Sequence, residues 1–227
     1  MSYCNEWESH YQAGRHMSRW PWTELVTLVM RYAPPGRGFR RVLELGCGIG
    51  ANIPFFVDLG VEYYSVEGSQ TAVAHVHERF PQLSERVAVG DYTQEIPFSG
   101  PFDLVVDRSS LTCNGTESIS QCFSLLGPRV AAGGRFIAVD WFSVDHGDYK
   151  LGQDAGDRYT RSKFSTGVFV GTGDVHFFDR PHLLSFFEGY RVLNLQHRRV
   201  LEEGAEGERR QMAMWNIVAE RKSRSLV

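Results

Sequence analysis

Between Arg41 and Asn52 the chain reads RVLELGCGIGAN, and no other stretch limits the fold as tightly. A short apolar run containing one acid, Glu44, leads directly into glycines and Ala51. A strand that ends in Gly-x-Gly and opens a helix brings bare backbone and helix N–H groups up to a ligand. Gly46, Gly48 and Ala51 meet the formal spacing of a dinucleotide loop. Glu44 departs from that pattern, because a dinucleotide strand is apolar up to its first glycine.

Around this loop the chain alternates. RVLEL (41–45), VEYYSVEG (61–68), RVAVGD (86–91), FDLVVD (102–107) and RFIAVDWF (135–142) read as strands. NIPFFVDLG (52–60), SQTAVAHVHERF (69–80, with Ser69 as N-cap) and ESISQCFSLLGPRV (117–130) read as helices. Gly133 and Gly134 are expected just before the fifth strand. Strands separated by helices predict a parallel sheet with helices on both faces. Upstream, WPWTELVTLVMRYA (20–33) reads as a helix. Pro21 suits its first turn, and Leu25, Leu28, Val29 and Tyr32 recur at helical spacing. From Ser143 to Val175 periodicity is lost, which predicts an irregular lid or binding loop. RPHLLSFFEG is again helical. YRVLNLQHRRVL and RQMAMWNIVAER, joined by EEGAEGE, predict a C-terminal antiparallel hairpin. The expected organisation is one domain over 1–227: an aromatic cap (1–38), a binding core (39–142), a lid (143–175), and a helix with hairpin (176–227).

The formal net charge of -3 disfavours broad electrostatic binding to nucleic acid. No apolar run approaches the roughly 20 residues of a membrane span, and MSYCNEWESHYQAGRH lacks the apolar centre of a leader. Cys4, Cys47, Cys113 and Cys122 form no CxxC pair. They read as free thiols of a reducing cytoplasm, with no zinc site.

Two further acids narrow the ligand. Glu67 ends the second strand about twenty residues past the loop, where a carboxylate accepts both hydrogen bonds of a ribose diol. NAD would use the same acid. Asp91, directly after the third strand, can accept from an exocyclic amine such as that of adenine, or cap a turn. In this order VLELGCGIGAN, the acid of SVEGS, GDYTQEIPF and FDLVVDRSSL resemble the motifs of class I S-adenosylmethionine-dependent methyltransferases, over about Arg40 to Phe142. The resemblance implies a Rossmann-like, seven-stranded, mostly parallel α/β sheet whose last strand is antiparallel, in agreement with the hairpin. It implies S-adenosyl-L-methionine as cofactor. Gly46 and Gly48, with Glu44 beside them, would lie under its methionine part. Glu67 and Gly68 would meet the ribose, Asp91 and Tyr92 would flank the adenine, and Asp107 and Arg108 would line the methyl-transfer face. WESHYQAGRHMSRWPW resembles the lead-in of small-molecule methyltransferases, which folds over the cofactor. That implies Tyr11 and Arg15 as contacts, Arg15 on the methionine carboxylate. Trp7, Trp20 and Trp22 either join them or pack a capping helix on the sheet.

A sulfonium donor is already activated, so the protein's task is alignment and exclusion of water. A hydroxyl acceptor also calls for a base. His176 is the first candidate, because VHFFD can fix it in an ordered segment; His146 and Asp107 follow. His10 and His16 lie in the cap, and His75 and His77 at the surface. Asp107 with Asp140 invites a magnesium ion, yet Trp141 stands where such sites add a third ligand, so no metal is expected. DRSSLTCNG lacks the Asn/Asp-Pro-Pro-aromatic run of enzymes that methylate base amines or glutamine. WPWTEL and IAVDWFS resemble bacterial methyltransferases that modify surface-polysaccharide sugars. With a lid carrying Asp145, Asp148, Lys150, Asp154, Asp157, Arg158 and Arg161, the expected acceptor is a small polar molecule, a hydroxyl of a sugar or related metabolite. An NAD(P)-dependent oxidoreductase and a non-catalytic S-adenosylmethionine-binding protein are the alternatives.

Overall fold

The computed structural model describes residues 5–223; Tyr3 and Cys4 lie outside them. Strands β1 (Arg41–Leu45), β2 (Glu62–Glu67), β3 (Val87–Val89), β4 (Phe102–Arg108) and β5 (Val130–Phe142) run parallel. Three short strands follow in the lid: β6 (Gln153–Asp154), β7 (Thr160–Ser162) and β8 (Val175–His176). The hairpin β9 (Tyr190–Glu203) and β10 (Arg209–Arg221) completes the main sheet, whose order is β3-β2-β1-β4-β5-β10-β9. β10 lies antiparallel to both of its neighbours. The expected seven-stranded, mostly parallel sheet is therefore the fold.

Helices α2 (Thr23–Tyr32), α3 (Ile53–Asp58) and α4 (Gln70–Arg79) cover one face, and α5 (Thr116–Leu126) and α6 (Arg180–Ser185) the other. The two-residue period of a strand sorts the core between them. On β1, Val42 packs with Leu25, Leu28 and Val29 of α2, whereas Leu43 and Leu45 pack with Ile119, Cys122 and Leu126 of α5. Strand order reverses between β1 and β4, which opens a crevice at their carboxyl ends.

Three local expectations need correction. α2 begins at Thr23 with Trp22 as an extended N-cap, so Pro21 precedes the helix. Trp22 N–H donates instead to Asn52 Oδ1 at 3.1 Å. Gly133 and Gly134 lie inside β5: Gly133 takes φ 75°, and the register against β4 slips between Phe102 and Leu104, so the pair forms an irregularity within the strand. The 143–175 stretch, though mostly turns and bends as expected, is not wholly irregular. β6, β7 and β8 form an antiparallel sheet over Phe164, Phe169, Val175 and Phe177. Strands of two or three residues are too short to show alternation in a sequence. The sequence pattern also missed α1 (Asn5–Gln12).

Among the described residues Cys47 and Cys122 are buried free thiols, and Cys113 Sγ donates to the Ser109 carbonyl at 3.7 Å. No described helix is long and apolar enough to cross a membrane.

Candidate functional site

β1 delivers the glycine loop to the crevice. Gly46 and Gly48 take φ 66° and 52°, the left-handed region that favours glycine. Walls press on the loop from two sides. A Cβ on Gly46 would stand 2.4 Å from Ser110 Cβ, and one on Gly48 would stand 2.7 Å from the Tyr11 hydroxyl. Ser110 Oγ bridges the Leu45 carbonyl at 2.7 Å and Asp107 Oδ1 at 2.5 Å, which ties the segment after β4 to the loop.

The two acids of the cradle are buried and bonded. Glu44 accepts from Asn52 Nδ2 at 2.7 Å and from the Tyr63 hydroxyl at 2.5 Å. Burial outweighs these bonds and raises its pKa to about 7, with the nearby Asp107 and Glu67 adding to the rise. Glu67 accepts from Gly48 N–H at 2.7 Å and from Ser69 N–H at 2.9 Å. Burial raises its pKa against those bonds. Beyond β3, Asp91 Oδ1 caps a turn by accepting from Thr93 N–H at 2.9 Å and from its hydroxyl at 2.6 Å. Tyr92 is held by its hydroxyl, which donates to the Ser110 carbonyl at 2.9 Å.

Above this cradle lies a cavity of about 360 Å³, within the range of small-molecule sites. α1 lines it with Trp7 and Tyr11. Glu8 accepts from the hydroxyls of Ser69 and Thr71, each at 2.5 Å, and His10 Nε2 lies 2.7 Å from the Gly171 carbonyl of the lid. The cap contributes Trp7, Tyr11, His16, Ser18 and Trp22 to the wall. The lid side is Phe142, Val168, Phe169, Thr172 and Val175. Between them stand Arg108, Ser109, Cys113 and Asn114. The Arg108 guanidinium stacks 3.6 Å from the centre of the Trp22 ring and pairs with Asp140 at 3.3 Å.

Of the residues singled out for the cofactor, Tyr11, Glu44, Gly46, Gly48, Glu67, Gly68, Asp91, Tyr92 and Arg108 all line this cavity. Arg15 and Asp107 do not. Arg15 is exposed beyond the end of α1. Asp107 is fully buried. It accepts from Ser110, from Leu111 N–H at 3.0 Å and from Trp141 Nε1 at 2.5 Å, and burial raises its pKa to about 6. It is a strut between β4, the following turn and β5.

The other two candidate bases are also turned away from the cavity. His176 is fully buried, with Nδ1 2.9 Å from the Thr160 hydroxyl and Nε2 2.9 Å from His182 Nε2. Burial lowers its pKa to about 3. His146 is buried among Phe142, Phe169 and Phe177, and its Nδ1 accepts from Asp148 N–H at 3.1 Å. None of the seven charged lid residues named above lines the cavity. Asp148 accepts from Val168 N–H, Asp157 from Thr116 N–H and Thr160, and Arg158 pairs with Asp179. Trp20 is 79% exposed, whereas Trp7 and Trp22 face the cavity. The sequence pattern also missed Asn52, Ser110 and Asn114. Asn52 closes the quoted loop, and its side chain links Glu44 to Trp22.

Residues 42–134 match the family model of a methyltransferase domain. No curated protein matches the sequence. Among solved structures the fold is similar to that of TehB from Haemophilus influenzae, with a TM-score of 0.63 and 16% identity over 95% of this chain and 67% of that one. It is similar to a SAM-dependent methyltransferase from Methanosarcina mazei, at 0.65 and 14% over 86% and 97%. It is also similar to the 1,6-didemethyltoxoflavin-N1-methyltransferase of Burkholderia thailandensis, solved with 1,6-didemethyltoxoflavin and S-adenosylhomocysteine, at 0.62 and 14% over 96% and 87%. At such identities the likeness is one of fold.

Proposed function

We propose that this chain, which carries a methyltransferase domain and takes its methyl group from S-adenosylmethionine, methylates a small acceptor with a flat or apolar body. The cradle fits the cofactor. Gly46 and Gly48 leave backbone where a Cβ would collide with Ser110 or Tyr11. Glu67 stands at the end of β2, and Asp91 and Tyr92 follow β3. When bound, the cofactor supplies an activated methyl group. The chain's own residues then hold donor and acceptor in line and keep water out.

The observation that carries the acceptor class is the lid wall. Phe142, Val168, Phe169 and Val175 present carbon to the cavity, with Trp7 and Trp22 from the cap, and such surfaces favour aromatic or aliphatic ligands. The lid charges from which a sugar hydroxyl was expected do not line the cavity. Ser18, Asn114 and Thr172 add polar groups to the wall, the last two held by the Ser110 and Phe169 carbonyls. For a hydroxyl acceptor His16 is the proton acceptor of choice. It lines the cavity while remaining largely exposed, and partial desolvation, then His10 and Arg15, lower its pKa. It also takes φ 56°, a strained conformation for histidine.

Turnover of methyl-labelled cofactor with phenols, heteroaromatic amines and nucleotide sugars tests this. Methylation of the flat acceptors is expected. Methylation of sugars alone would reverse the acceptor class. Binding of S-adenosylhomocysteine with no turnover of any acceptor would favour the non-catalytic alternative.

A further inference from the structure

The cavity wall holds several acids and one strong base. Glu44, Glu67 and Asp91 face it from the cradle, and Arg108 is the single Lys or Arg among its lining residues. The Trp22 stack fixes the plane of the guanidinium, so its edge is what it can offer. Nη2 is 3.3 Å from Asp140 Oδ2, and Nε is buried without a hydrogen-bond partner. The side chain as a whole is 31% exposed, which leaves the guanidinium reachable from the cavity.

Asp140 is itself held from three directions. It takes φ 56° at the end of β5, where its N–H donates to Asn216 Oδ1 at 2.8 Å. Asn216 sits where the register of β10 on β5 slips, and the slip turns its side chain inward, to 1% exposure. Asp140 Oδ1 lies 3.4 Å from Arg198 Nη1, and Arg198 Nη2 lies 2.8 Å from Glu24 Oε1. A line of ion pairs, Glu24–Arg198–Asp140–Arg108, thus runs from a second, polar groove between α2 and the hairpin to the main cavity. Charges alternate along it, and the cationic end meets the cavity.

We propose that Arg108 binds a carboxylate or equivalent oxyanion of a ligand in the cavity, and that Arg198, outside the cavity, is a positioning residue that acts through Asp140. This deepens the proposed function and rests on it. The oxyanion has two sources there, the methionyl carboxylate of the cofactor and an acidic group on the acceptor. Arg108 takes the place expected for Arg15, which lies away from the wall.

The test is calorimetric titration of the full chain with S-adenosylhomocysteine and with 5′-methylthioadenosine, which keeps the nucleoside and lacks the carboxylate. Arg108→Gln is expected to weaken S-adenosylhomocysteine roughly 10- to 100-fold and to leave methylthioadenosine unchanged. The second ligand also reports that the variant is folded. Arg108→Lys should recover only part of the loss, since it lacks the planar fork. Arg198→Gln should weaken S-adenosylhomocysteine less than Arg108→Gln does, and Arg198→Lys should restore it.

If Arg108→Gln leaves S-adenosylhomocysteine unchanged, the protein saturated with that ligand is titrated with benzoate and with benzyl alcohol. Selective loss of benzoate binding assigns the oxyanion to the acceptor. If neither carboxylate ligand is weakened relative to its carboxylate-free counterpart, the proposal is overturned. Should Arg108→Gln not fold, Arg108→Lys serves in both arms. A wild type that binds neither nucleoside removes the cofactor reading, and this inference with it, an outcome distinct from a neutral substitution in a binding-competent protein.

Discussion

The cradle and the lid close on one cavity from opposite sides and hold their shapes by different means. In the cradle the backbone decides. Gly46 and Gly48 are left-handed, Glu67 is bonded to main-chain N–H groups, and Ser110 grips the Leu45 carbonyl. In the lid the side chains decide. Phe164, Phe169, Val175 and Phe177 form a small core, Asp157 and Asp148 tie turns together, and His176 meets His182. Most of the lid residues that face the cavity present carbon, with Thr172 the exception, and the charged lid residues named above do not line it. Charge within a short strand-poor segment therefore says little about the chemistry of the ligand it covers.

The largest effects should separate two left-handed glycines. Gly46→Ala adds left-handed strain and a collision with Ser110, about 2–5 kcal/mol together, and should abolish S-adenosylhomocysteine binding. Gly156 in the lid, at φ 90° with no atom near its Cβ position, should lose only about 1 kcal/mol as Gly156→Ala and keep full binding. Chemical denaturation and calorimetry check both, and equal losses would erase the contrast.

Next is a pH dependence belonging to the cradle. Glu44 titrates near 7 in the fold against 4.5 unfolded, and Asp107 near 6 against 3.8. Both are raised, so the folded state holds the extra protons. Their contribution is fully present below the unfolded values and is lost as pH rises through about 6 to 7. For Glu44 the span is on the order of 3 kcal/mol. Glu44→Gln should flatten the stability profile between pH 5 and 8, measured by urea unfolding; an unchanged slope would mean that Glu44 is ionised throughout.

Glu67→Ala should cost about 1.5–3 kcal/mol of cofactor binding, and a folded variant with wild-type affinity would remove Glu67 from the site. His176→Ala should destabilise the fold by about 1–3 kcal/mol, because it empties a buried site and removes the partner of His182 Nε2, while cofactor affinity stays constant. A variant of normal stability and depressed turnover would return His176 to the chemistry. The smallest effect is expected of Asp154→Asn in the lid. Its pair with Arg161 is exposed on the Asp154 side, so stability should move by no more than about 0.5 kcal/mol and binding not at all.

What could be seen in the sequence follows the same division. The parallel strands, the hairpin, Ser69 as a cap and nearly every cradle residue were legible, because strand periodicity and glycine conformation are local properties. Arg15, Asp107, His146 and His176 were misplaced because the direction of a side chain depends on packing. Asp107 sits at the right strand end but points at Trp141, and Arg15 lies one residue from His16, which does line the cavity. Asn216 was invisible, since its inward turn depends on a register slip between strands 76 residues apart in sequence, as the Asp140 bond shows.

The claim on which the rest depends is that the cradle is an S-adenosylmethionine site. Isothermal titration of the full chain with S-adenosylhomocysteine and with NAD addresses it most directly. Saturable binding of S-adenosylhomocysteine at one site per chain, with no heat from NAD, is the predicted result. Tight NAD binding with none for S-adenosylhomocysteine would contradict it.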